Sequence, residues 1–181
     1  MKQIFWGLIF LFFDFNLNFG ASSISLLPAF VGYALIRTGM GKVTECERYE
    51  KARSFMLAGI AYSAVVWVLN LLGMPAGSVL GSVLGVAGGV FQLVATWQIA
   101  KGVAELEGVY RYDLYAKPLM TAWTVLLIWV ILVRVTAWLG IELLAMIALL
   151  ASFVFMIYYI VRFHKSRKAY EERAGWQEGD A

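Results

Sequence analysis

The chain has 181 residues, 61% of them apolar and 15% charged, with a mean hydropathy of +0.74 and a formal charge of +3. Several runs approach or exceed the roughly 20 apolar residues that a bilayer crossing needs, which excludes a water-soluble globular domain. A single cysteine, Cys46, excludes an intrachain disulfide and a cysteine-based metal site.

Taken in order, the apolar segments cover about 4–19, 26–40, 54–72, 77–100, 118–138 and 141–163. The first does not read as a cleaved signal peptide, because Asp14, Asn16 and Asn18 interrupt it and only Lys2 precedes it. Lys and Arg fall in alternate connections. None lies between the first and second segments, the third and fourth, or the fifth and sixth. Arg37, Lys42, Arg48, Lys51 and Arg53 cluster around the second connection; Lys101, Arg111 and Lys117 fall in the fourth; Arg162, Lys165, Arg167, Lys168 and Arg173 follow the last segment. The positive-inside rule then places both termini in the cytoplasm. The expected architecture is an all-α integral membrane protein of the cytoplasmic (inner) membrane. Six transmembrane helices form three hairpins in one domain spanning 1–181, and 164–181 is a cytoplasmic tail.

Thr44 with Glu47 matches a capping box, and Glu47 with Lys51 is a favourable four-residue charge pair. Between 101 and 117, Tyr110, Tyr112 and Tyr115 alternate with charges, as in a headgroup-level anchor. The basic run from Arg162 to Arg173 extends the last helix and favours anionic lipid.

The fourth segment carries Gly77, Gly81, Gly85 and Gly89 at steps of four, a small-xxx-small stripe that lets helices approach closely. Two uses are open: packing inside the chain's own bundle, or a seam with a second copy or another membrane protein. The second segment is short and starts near Pro28. A helix from there to Met40 covers about 20 Å of the roughly 30 Å hydrocarbon core, so the 20–27 stretch completes the crossing or dips in as a loop. Broken crossings of this kind mark binding sites in transporters; a locally thinned bilayer is the other reading.

Asp14 lies in the outer half of the first segment, where a carboxylate is expensive and faces a partner or a cavity. Arg134, near the outer end of the fifth segment, falls at a similar depth, with Glu142 nearby on the sixth. Asp14, Asn16, Asn18, Tyr33 and Arg134 therefore form the candidate substrate-binding set, with Ser22, Ser23, Ser25, Trp67 and Asn70 around it. An Asp14–Arg134 ion pair that is purely structural is the competing reading. Gln92, Thr121 and Thr124 have cheap alternatives as helix-bridging or self-bonding side chains.

Enzyme chemistry finds no support. His164 is the sole histidine, and the chain has no P-loop, dinucleotide glycine pattern, nucleophile elbow or His-Glu-x-x-His. No catalytic residue, metal or cofactor is expected, and nucleic acid is not a plausible partner.

Phe13-Asp14-Phe15-Asn16, followed by Leu27-Pro28-Ala29-Phe30-Val31-Gly32-Tyr33, resembles a group of small uncharacterised bacterial multi-pass membrane proteins. Those have an apolar-Asp-x-Asn first helix and a Leu-Pro-x-x-x-Gly-Tyr second helix. Members often carry an acidic residue just after that proline, where this chain has Ala29. The resemblance implies a multi-pass fold and no particular activity. In size and helix number the chain is also similar to the substrate-binding subunits of energy-coupling-factor vitamin transporters. Their small-residue stripe lies in the first helix, whereas Ile4-Phe5-Trp6 and Leu8-Ile9-Phe10 fill the first segment here, which argues against that family.

Two functions are expected. The first is a binder or transporter of a small polar or amphipathic solute, with a polar site in the outer half. The alternative is a non-catalytic accessory or scaffold subunit, assembling through the glycine stripe and the cytoplasmic loops as a homodimer or with a membrane-protein partner.

Overall fold

The computed structural model describes residues 1–13, 16–19, 22–25, 28–72 and 79–179; for 16–19, 22–25, 137 and 174–179 it describes the backbone path alone. Six helices and one strand pair follow in the order α1 (Lys2–Phe12), β1 (Asn16–Phe19), β2 (Ser22–Ser25), α2 (Ala29–Met40), α3 (Glu47–Leu71), α4 (Val79–Tyr110), α5 (Ala116–Trp138) and α6 (Glu142–Gly179). Among the described residues, α3, α4, α5 and α6 are the helices long and apolar enough to cross a membrane. Their bare apolar surface, including Leu57, Val83, Ile131 and Leu150, suits lipid on the outside. This is a helical membrane protein. The chain divides into two compact units, residues 1–99 and 100–181, and α4 contributes to both.

In the first unit the chain departs from the expected crossings over 4–19 and 26–40. α1 stops at Phe12, and Asn16–Phe19 pairs antiparallel with Ser22–Ser25. Asn and Asp side chains compete for backbone hydrogen bonds and so weaken a helix interior. Residues 15–19, Phe-Asn-Leu-Asn-Phe, also alternate with the two-residue period of a strand. At 11 and 12 residues, α1 and α2 are each under about 20 Å long.

What joins α1 to α2 is missing side chain. A Cβ built on Gly7 would lie 2.6 Å from the Gly32 carbonyl oxygen and 2.9 Å from the Ile36 nitrogen. One on Gly39 would lie 2.8 Å from the Ile4 nitrogen. The two backbones therefore touch, with Ile4, Leu8 and Ile36 fully buried beside the contact. On the other side of α2, the Tyr33 ring occupies the space over Gly59 of α3, where a Cβ would meet Cδ1 at 2.8 Å.

α3 begins at Glu47 with Cys46 as its N-cap, so Thr44 does not close the expected capping box. Cys46 and Val43 are buried and fix the entry of the helix, while Glu47 pairs instead with Lys51 at 2.6 Å. α4 runs antiparallel along α3. Tyr49 donates to the Ile99 carbonyl, Arg48 to Gln98, Phe55 packs on Phe91, and Tyr62 donates to the Leu84 carbonyl. Partners step down α4 as they step up α3.

In the second unit α5 packs on α6 through buried Leu119, Ala122 and Leu126 against Ala148, Met156 and Tyr159. The expected 101–117 connection shrinks to residues 111–115, because α4 runs on to Tyr110. Glu107, on the last turn of α4, accepts the Leu114 and Ala116 backbone N–H groups, both at 3.0 Å. Asp113 accepts the Tyr115 N–H at 2.8 Å. These bonds hold Arg111 at φ 49° and Tyr115 at φ 59°, a backbone region costing non-glycine residues about 1–2 kcal/mol each. The basic end of α6 is helical, as expected, and the helix continues to Gly179; Tyr170 also meets Tyr110 of α4 edge-on.

Candidate functional site: a short hairpin between α1 and α2

The levels along α3 show how α1 and α2 end. Gly59 faces Tyr33. From there α3 continues to Leu71, roughly 18 Å further, whereas α2 runs only back to Ala29, about 6 Å. The missing length of roughly 12 Å is close to that of a four-residue strand, and β2 lies beside α3. A short hairpin thus stands where α1 and α2 would otherwise continue.

The hairpin register sorts its residues. Asn16 pairs with Ser25 and Asn18 with Ser23; Leu17 pairs with Ile24 and Phe19 with Ser22. Residues opposite each other, and those two apart, share a face of a strand pair. Asn16, Asn18, Ser23 and Ser25 therefore occupy the positions of one face, and Leu17, Phe19, Ser22 and Ile24 those of the other. Four of the five polar residues of the two strands share one face by backbone pairing alone, and Ser22 falls on the other.

Two aromatic side chains stand beside the start of α2. Phe30 meets Trp67 edge-on at 5.8 Å. The Trp67 indole N–H is shielded from solvent and has no acceptor among the described residues. Trp67 lies eight residues beyond Gly59, about 12 Å along α3, at the level of the hairpin. Gln92 of α4 points its amide nitrogen at the Leu11 carbonyl, 3.5 Å away, one of the last carbonyls of α1 that the broken helix leaves over.

The expected site residues fare unequally. Tyr33 is 2% exposed and is held between α2 and α3, so it shapes the packing under the hairpin. Asn16 and Asn18 lie on β1, placed together with Ser23 and Ser25. Asp14 lies outside the described residues, and with it the Asp14–Arg134 pair. Arg134 is an exposed residue of the last turn and a half of α5, and Glu142 opens α6. Thr121 and Thr124 donate to carbonyls of their own helix, the cheap alternative.

Of the expected packing glycines, Gly77 lies outside the described residues. A Cβ on Gly85 would meet no described atom within 4 Å. The close helix approach that the structure does describe uses Gly7, Gly32 and Gly39, which the sequence reading passed over in favour of the four-residue stripe. No group of three or more potential metal-ligating His, Cys, Asp or Glu side chains occurs among the described residues. No protein-family model, curated protein or solved structure matches the chain.

Proposed function

We propose that the protein binds a small polar or amphipathic solute at the hairpin that interrupts its first two crossings, and serves as a binder or transporter in the cytoplasmic membrane of a bacterial-type cell. The polar face of that hairpin, Asn16 and Asn18 opposite Ser25 and Ser23, is the observation that carries the reading. With the basic connections on the cytoplasmic side, Lys2 marks the inner surface, and α1 ends about 17 Å in. The hairpin then occupies the outer half of the hydrocarbon core. A two-stranded ribbon has an outer edge of unpaired N–H and C=O groups on each strand, and lipid cannot satisfy them. α3 lies along β2; water or a bound solute satisfies what remains. Trp67 adds an N–H donor and Phe30 an aromatic wall, and Asp14, two residues before Asn16 in the sequence, is the proposed source of charge.

The test is a thermal-shift screen of detergent-purified protein against polar metabolites and lipids, run beside Asp14→Asn, Asn16→Ala and Trp67→Phe. A ligand that binds only the folded state stabilises it by about 2.7 kcal/mol at a hundredfold excess over Kd. The expected result is a hit that Asp14→Asn abolishes and Trp67→Phe weakens, with the unliganded midpoint of Trp67→Phe near wild type. Hits that survive in Asp14→Asn and Asn16→Ala contradict the reading.

The room at Gly85 favours the second reading, an accessory or scaffold subunit whose α4 meets a second copy or another membrane protein. Gly85→Leu is then expected to leave the unfolding midpoint unchanged and to release the partner, read as a shift in mass by light scattering. Unchanged mass in a wild-type oligomer removes this second reading.

A further inference from the structure

We propose that the α2–α3 seam, at its Arg37–Arg53 end, is a binding site for the phosphate of an anionic phospholipid. Tyr33, Arg37 and Gly41 recur at steps of four, so they share one face of α2. Tyr33 sits over Gly59, and at Gly41 the nearest atoms to an added Cβ are those of the Arg53 guanidinium, with Cζ at 3.2 Å. Arg37 lies between these two contacts on the same seam. The Nε atoms of Arg37 and Arg53 are each shielded from solvent and have no hydrogen-bond partner among the described residues.

Glu50 pairs with Arg53 through Nη1 alone, which leaves the Nε of that guanidinium without a partner among the described residues. Both Glu50 oxygens take Arg53 Nη1, at 3.0 and 2.8 Å, and Glu47 takes Lys51. Arg48 turns to Gln98 and to the Trp97 ring. Glu45 is exposed, as is Lys42. Over residues 37–53 the cations outnumber the acids by two. A shielded guanidinium nitrogen without an acceptor is costly, and a phosphate offers the paired oxygens that a guanidinium fork matches. Leu57, one turn beyond Arg53 and 54% exposed, continues the same strip with apolar surface. Charge followed by an apolar strip fits a headgroup and its acyl chain. Inorganic phosphate would use the first part alone.

Native mass spectrometry of the full chain, released from nanodiscs of mixed phosphatidylglycerol and phosphatidylcholine, tests this. Wild type is expected to retain one phosphatidylglycerol in preference to phosphatidylcholine. Arg37→Gln and Arg53→Gln should each lower that retention at least about tenfold, the loss of one charge-assisted bond. Circular dichroism checks folding; if Arg37→Gln does not fold, Arg37→Lys keeps the charge without the fork and should retain the lipid several-fold less than wild type. Equal retention of both lipids, or wild-type retention in the folded variants, overturns the site. Displacement of the lipid by millimolar inorganic phosphate overturns the choice of lipid.

Discussion

Gly7→Ala is expected to destabilise the folded chain by about 3 kcal/mol, the upper range for forcing a methyl group into a closed contact. The added carbon would meet the Gly32 carbonyl oxygen and the Ile36 nitrogen, both backbone atoms that cannot rotate aside. Relief requires α1 and α2 to separate, which opens the contact along Ile4, Leu8 and Ile36. Gly32→Ala meets the Gly7 carbonyl oxygen at 2.9 Å and the Leu11 nitrogen at 3.0 Å, and should act similarly. The two changes share one seam, so their combined effect should fall short of the sum. Gly85→Ala is the control: it meets no described atom within 4 Å and should change stability by no more than about 1 kcal/mol, the helix-propensity difference. Reversible unfolding in mixed micelles measures all four variants. A Gly7→Ala effect equal to that of Gly85→Ala contradicts the packing described.

Glu107→Ala should cost about 2–4 kcal/mol by a different route. Its carboxylate accepts the Leu114 and Ala116 N–H groups at the start of α5, where Leu114 is fully buried and Ala116 4% exposed. Truncation leaves both donors unmet in a place water does not reach, at about 1–3 kcal/mol each, relieved in part by local movement. It also removes a negative charge from a helix N-terminus. Glu107→Gln keeps one acceptor oxygen and should lose about 1 kcal/mol. Hydrogen exchange adds a local reading: amides of residues 114–119 should exchange faster in Glu107→Ala, while those of α3 keep their wild-type protection. Wild-type exchange at Leu114 and Ala116 contradicts the capping role.

The long crossings were legible because hydropathy and length decide them. α3 to α6 lie where their apolar runs do, and the Glu47–Lys51 pair and the helical basic end follow from spacing alone. The first forty residues were harder, because two signals compete there. The apolar content of 4–19 reads as a crossing, yet the alternation of residues 15–19 and three helix-weakening side chains turn its last residues into a strand. Gly32 and Gly39 are two turns apart on one face, a packing signal outshone by the longer run in α4. Glu107 gave no local hint, since its partners lie seven and nine residues on, across a turn that only the folded chain defines. Asn16 and Asn18 were legible as polar residues in an apolar segment. Their alignment with Ser25 and Ser23 depends on strand register, which hydropathy does not encode.

The central claim is that the hairpin stands at membrane depth with one wet face. Cysteine accessibility tests it most directly, because Cys46 is the sole native thiol and is buried. In a Cys46→Ala background, single cysteines replace Asn16, Asn18, Ser23 and Ser25 in turn, then Leu17 and Ile24. Each is exposed in sealed membranes to a membrane-impermeant maleimide added from outside. The account predicts labelling at the four polar-face positions, slowed by any ligand found in the thermal-shift screen, and little at Leu17 or Ile24. Labelling that ignores the face, or no labelling at any of the six, would contradict it.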